Sequence, residues 1–182
     1  RLMNVFGPVT FGNGPGSITF AEFNGGTGTG ANGGIFELTA QSITVEDIGG
    51  GNAAITANTA DGTNSGGQIS LTSTAVGGTG IDIQNSAQIL AIMQAGATGP
   101  GSKITIQADQ AGININGTID AGTTSNTDKS ELLILQDAAF ANAPAINIGN
   151  GADLSADILK IGALGDNGIL NINGGRLNAN DT

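Results

Sequence analysis

A three-part apolar phrase recurs six times along this chain, and each segment of it alternates apolar residues with others. The third segment is the clearest: Ala53–Ala57 (AAITA), Ala87–Ala91 (AQILA), Gly117–Ala121 (GTIDA), Ala152–Ala156 (ADLSA) and Gly175–Ala179 (GRLNA), with an earlier copy, Gly16–Phe20 (GSITF), that ends in Phe. The second segment is an apolar pair flanking one residue: Val9/Phe11, Ile43/Val45, Ile81/Ile83, Ile113/Ile115, Ile146/Ile148 and Leu170/Ile172. The first reads Met3/Val5, Phe36/Leu38, Ile69/Leu71, Ile104/Ile106, Leu133/Leu135 and Leu159/Ile161. The step is 33 residues from Phe36 to Ile69 and 35 from Ile69 to Ile104, then shortens to 29 and 26.

Alternation with a period of two places each apolar pair on one face of a strand and the residue between on the other. A period of this length built only from short alternating segments predicts an all-β, single-stranded parallel β-helix, a β-solenoid of about six coils with three short strands each. Stacking the inward pairs at ~4.8 Å per coil makes one ladder of Ile, Leu and Val, in a body roughly 29 Å long. Glycine, at 32 of 182 residues, clusters in bends such as GGTG at Gly77–Gly80, where positive φ costs a glycine little. No strict triplet period accompanies it, so the chain is not collagen-like. One Ala-rich stretch, Gln136–Ala143, is the single place where a short helical turn is expected.

The unbroken phrase makes residues 1–182 one domain, and the chain reads as a fragment of a longer repetitive protein. With no Cys there is no disulfide or thiolate metal site. Fifteen acids against five basic residues give a net charge of −10, which repels nucleic acid and anionic membrane. No segment has the pattern of a signal peptide or membrane span, so no membrane insertion is expected.

The phrases GGQISLTS (66–73), GIDIQNSAQILA (80–91) and GININGTIDA (112–121) resemble the passenger repeats of filamentous haemagglutinin-like adhesins and related autotransporter passengers of Gram-negative bacteria. The resemblance spans about Met3 to Ala179. It implies a right-handed parallel β-helix, in keeping with the right-handed bias of parallel crossovers. It also implies export and display at the outer-membrane surface or in the extracellular medium. The expected role is therefore structural, as a rod-like segment of an adhesin-like protein or a subunit stacking end to end in a filament. The partners expected are neighbouring coils of the parent protein, head-to-tail copies, and a host or matrix glycan or protein.

Local patterns with a chemical look have simpler explanations. GTGANG (Gly28–Gly33) fits a dinucleotide-binding glycine pattern, but a strand follows it where pyrophosphate binding needs a helix N-terminus. GGTGIDI (Gly77–Ile83) opens like a calcium-binding nonapeptide; Gln84 replaces the large apolar residue, and no tandem copy follows. Asn116-Gly117-Thr118 is a formal glycosylation sequon that reads as a turn.

Catalysis on such a scaffold needs carboxylates converging on an outer face. The outward rows read Asn4, Glu37, Ser70, Thr105, Ile134, Lys160 on the first strand. On the second they read Thr10, Thr44, Asp82, Asn114, Asn147, Asn171, and on the third Thr19, Thr56, Leu90, Asp120, Ser155, Asn178. No row sets two acids on adjacent coils, and Lys160 has no acid beside it. The chain also lacks His, Cys, Tyr and Trp. No enzyme activity, catalytic residue, cofactor or metal site is expected. The rows do not read the loop carrying Asp128 and Lys129. The alternative class is a polysaccharide-active enzyme or carbohydrate-binding module of the same fold. Ice binding would need an unbroken outward Thr row, which Leu90 and Asp120 interrupt; the Asn114, Asn147, Asn171 row instead suggests a stacked amide ladder.

Overall fold

The computed structural model describes residues 2–19, 21–22, 32–59, 65–93, 98–122, 128–137, 145–164 and 168–180. Within them the protein is all-β, with strands paired in parallel and no helix. The first two copies of the phrase give β1 (Leu2–Asn4), β2 (Val9–Phe11), β3 (Ala21–Glu22), β4 (Ile35–Ala40), β5 (Ile43–Val45) and β6 (Ile55–Thr56). The third and fourth give β7 (Gln68–Ile83), β8 (Gln88–Leu90), β9 (Lys103–Ile115) and β10 (Thr118–Asp120). The last two give β11 (Glu131–Asp137), β12 (Ile146–Ile148), β13 (Asp153–Ala156), β14 (Ile158–Leu164), β15 (Leu170–Ile172) and β16 (Arg176–Ala179).

Every strand pairs with its counterpart in the repeat before or after it. The first segments run in the order β1-β4-β7-β9-β11-β14, and the third segments form a separate sheet, β16-β13-β10-β8-β6-β3. β7 and β9 are long enough to carry both first and second segments, so these two share one sheet. Irregularities in their pairing between Ser73 and Ile81 mark where that sheet changes direction from one segment to the next.

Burial follows the alternation. Phe36, Leu38, Ile69, Leu71, Ile104 and Ile106 are at most 1% exposed, as are Ile81, Ile83, Ile113, Ile115, Ile146 and Ile148. Ile55, Ile89, Ile119 and Leu154 from the other sheet join them in one cluster with the small residues Ala57, Ala91, Ala121 and Ala156. Phe11 and Phe36 meet edge to face, with ring centroids 6.1 Å apart. Phe6 is 97% exposed, whereas Phe20, Phe23 and Phe140 lie outside the described residues.

Four expectations need correction. In β11 the inward pair is Leu132/Ile134, which pair with Ile104/Ile106; Leu133 and Leu135 are the half-buried alternates. The steps become 28 residues from Ile104 to Leu132 and 27 from Leu132 to Leu159. At the start, Met3 pairs with Leu38 and Asn4 with Thr39, so the residue opposite Glu37 is Leu2. The earliest strand of the smaller sheet is Ala21–Glu22, with Glu22 opposite Thr56; Ile18 bridges to Phe11 instead, after a tight turn closed by Ser17 N–H donating to the Gly14 carbonyl. Gln136 and Asp137, expected at a helical turn, end strand β11, and the rest of that stretch lies outside the described residues.

The corner leading into the first segments is built from polar side chains and glycine. The Ser102 amide donates to Ser130 Oγ at 3.2 Å, and the Ser130 amide to Asp157 Oδ2 at 2.9 Å, so each side chain satisfies a backbone donor of the preceding repeat. Earlier in the same column stands Gly67, where a methyl group would lie 1.5 Å from the Ala57 carbonyl oxygen.

Candidate functional site

The outward faces present three polar features, each set by strand register. On the first sheet Glu131 stands beside Lys103 in register, and Lys160 lies one strand further. Lys103 Nζ reaches Glu131 Oε2 at 3.3 Å, and Lys160 Nζ donates to Glu131 Oε1. The expectation that Lys160 has no acid to serve is therefore wrong. Its row neighbour is Leu133, and its ion partner belongs to the next outward row, two residues earlier on the strand. The Lys160 hydrogen bond does most to lower the Glu131 pKa. Partial burial opposes it, and the Lys103 hydrogen bond and the charge of both lysines complete the net lowering. With both carboxylate oxygens engaged, Glu131 is an anchor between strands.

On the second segments the expected row is present. Asn171 Nδ2 donates to Asn147 Oδ1 at 2.8 Å, Asn147 Nδ2 to Asn114 Oδ1 at 2.8 Å, and Asn114 Nδ2 to Thr79 Oγ1 at 3.3 Å. All point the same way along the stack, which closes this row as a one-directional amide ladder. Asp82, from the calcium-like segment, pairs in register with Thr44 and Asn114 and accepts from Gln84 Nε2 at 3.4 Å. Among the described residues no group of three or more His, Cys, Asp or Glu is placed to hold a metal ion. Of the glycine pattern at 28–33, residues 28–31 lie outside the described residues, and Asn32 accepts the Ser65 amide through Oδ1 at 3.1 Å.

The third feature is a cavity of about 440 Å³ on the outward side of the smaller sheet, lined by Met93, Asp120, Ser155, Asn178 and Asn180 together with Ile92 and Gly122. Asp120, Ser155 and Asn178 are register partners on β10, β13 and β16. Asp120 Oδ1 accepts the Gly122 amide at 2.7 Å, fixing the carboxylate where the strand turns. Sequence reasoning placed all three residues in one row but asked only whether the row stacked acids. The missing signal was a polar row without the like-to-like pairing that closes the asparagine ladder.

Neither protein-family models, curated proteins nor solved structures give a match to this chain.

Proposed function

We propose that this chain is a rod-like structural segment of a Gram-negative surface-displayed or secreted adhesin-like protein, built as a right-handed parallel β-helix of about six coils. The observation that carries the reading is the register. Each segment of the phrase pairs in parallel with its counterpart in the adjacent repeat, from Leu2 opposite Glu37 to Asp153 opposite Arg176. A chain that returns to the same place every 23–38 residues in parallel is the pattern of a solenoid, and right-handed crossovers are the general rule for such returns. The polar groups outside this frame support a scaffold role, since Lys103, Glu131, Lys160 and the asparagine ladder tie strands to one another.

The ends of the stack favour growth along its axis, either by further coils of the parent chain or by a second copy. Leu170, Ile172 and Leu177 are 43%, 50% and 40% exposed although they occupy the inward positions of the last repeat. An open strand edge above exposed apolar residues is a template for another strand. The test is an antibody raised against this chain and applied to intact cells of the bacterium that encodes it. Labelling that disappears when the cells are shaved with protease is the expected result. Labelling that appears only after permeabilisation contradicts surface display.

A further inference from the structure

The cavity on the smaller sheet has features that a scaffold does not need. The geometry points to a binding groove for a neutral oligosaccharide, recognised by Asp120, Ser155, Asn178 and Asn180. In the asparagine ladder, outward amides consume one another's hydrogen bonds. Here the side chains of Ser155, Asn178 and Asn180, and the second oxygen of Asp120, have no hydrogen-bond partner among the described residues. Carboxylate, hydroxyl and two amides thus offer donors and acceptors around a concavity whose volume is in the range of small-ligand sites, roughly 300–1,000 Å³.

The ligand class follows from what the groove offers. β10 is already paired on both sides, with β8 and β13, and β13 with β10 and β16. Along β10 and β13 a peptide therefore finds no backbone edge to extend and recognition falls to side chains; among the described residues the free edge at the Asn178 end of the row is β16. Hydroxyl-rich ligands suit a set of short polar side chains, while the half-buried Ile92 supplies apolar surface for the C–H face of a sugar ring, Met93 being only 7% exposed. One carboxylate is too few for a cation site. The same carboxylate, in a chain of net charge −10, disfavours acidic glycans and nucleic acid. Register partners on adjacent strands repeat every ~4.8 Å. That step is close to the length of one pyranose unit, so an extended glycan crossing the strands meets a new polar side chain at each ring.

The test titrates the intact chain with cellohexaose, chitohexaose and xylohexaose, with hexagalacturonate as the acidic comparison, followed by backbone amide shifts in NMR. The inference predicts saturable shifts at Asp120, Gly122, Ser155 and Asn178 with at least one neutral sugar. It also predicts binding at least ten-fold weaker in Ser155→Leu and unchanged in Ser70→Leu on the other sheet. Asn180→Ala, at an exposed position, must weaken binding as well, and serves alone if Ser155→Leu does not fold. Three results overturn the inference: no saturable shifts with any neutral sugar, binding indifferent to both groove variants, or tighter binding of hexagalacturonate. Its failure leaves the structural reading untouched, because that reading rests on the register and not on the groove.

Discussion

Glu131 shows how a single residue acquires a role only through its neighbours in space. Its two lysines are 28 and 29 residues away in sequence and reach it because register stacks the three strands. Because the folded-state pKa is lowered, the stabilisation is fully present above the ordinary glutamate value of about 4.3 and is lost as pH falls through the folded value. Lys103 and Lys160 side chains are 49% and 59% exposed, so the cluster contributes about 1 kcal/mol or less. Glu131→Gln should accordingly lower the urea midpoint measured at about pH 7, and the difference from the parent should shrink progressively as pH falls below the ordinary glutamate range. A difference that persists at acid pH would show that the glutamate acts through packing and not through charge.

At the scale of elements, glycine position matters more than glycine number. Gly67→Ala sets a methyl group 1.5 Å from the Ala57 carbonyl, a backbone group that cannot move aside. It should cost about 2 kcal/mol or more, whereas Gly7→Ala, with nothing within 4 Å of the added carbon, should be within ~0.5 kcal/mol of the parent. Thermal midpoints of the two variants decide the point; equal values contradict the close approach at this corner. Most strands were legible because Ile-x-Ile and Leu-x-Leu pairs flanked by polar residues fix which face is buried. Residues 132–135 were not, because Leu132-Leu133-Ile134-Leu135 is apolar throughout and alternation alone picks no face. Pairing with Ile104 and Ile106 decides it, and the same register brings Glu131 to Lys103. Gly16–Phe20 imitated the third segment by composition, yet the turn at Gly14–Ser17 returns Ile18 to the Thr10 carbonyl. The groove was only half legible: its row could be read from spacing, but a concavity depends on how strand ends and side-chain sizes combine.

For the whole molecule, one apolar cluster runs through all the interior repeats, and no repeat buries its share alone. Residues at matching inward positions pass from 0% exposure at Ile113, Ile115 and Ile119 to 40–50% at Leu170, Ile172 and Leu177. The interior therefore gets its stability from neighbours on both sides. The central claim, that matching segments of successive repeats stand side by side, can be measured by cross-linking because the chain has no cysteine of its own. Thr105 should stand between Ser70, 35 residues earlier, and Leu133, 28 residues later. Under mild oxidation, the double variants Ser70→Cys/Thr105→Cys and Thr105→Cys/Leu133→Cys should each form an intramolecular disulfide. Thr105→Cys/Ile134→Cys, one residue out of register and on the opposite face, should not. Cross-linking of that last pair in preference to the first two would contradict the stacked register.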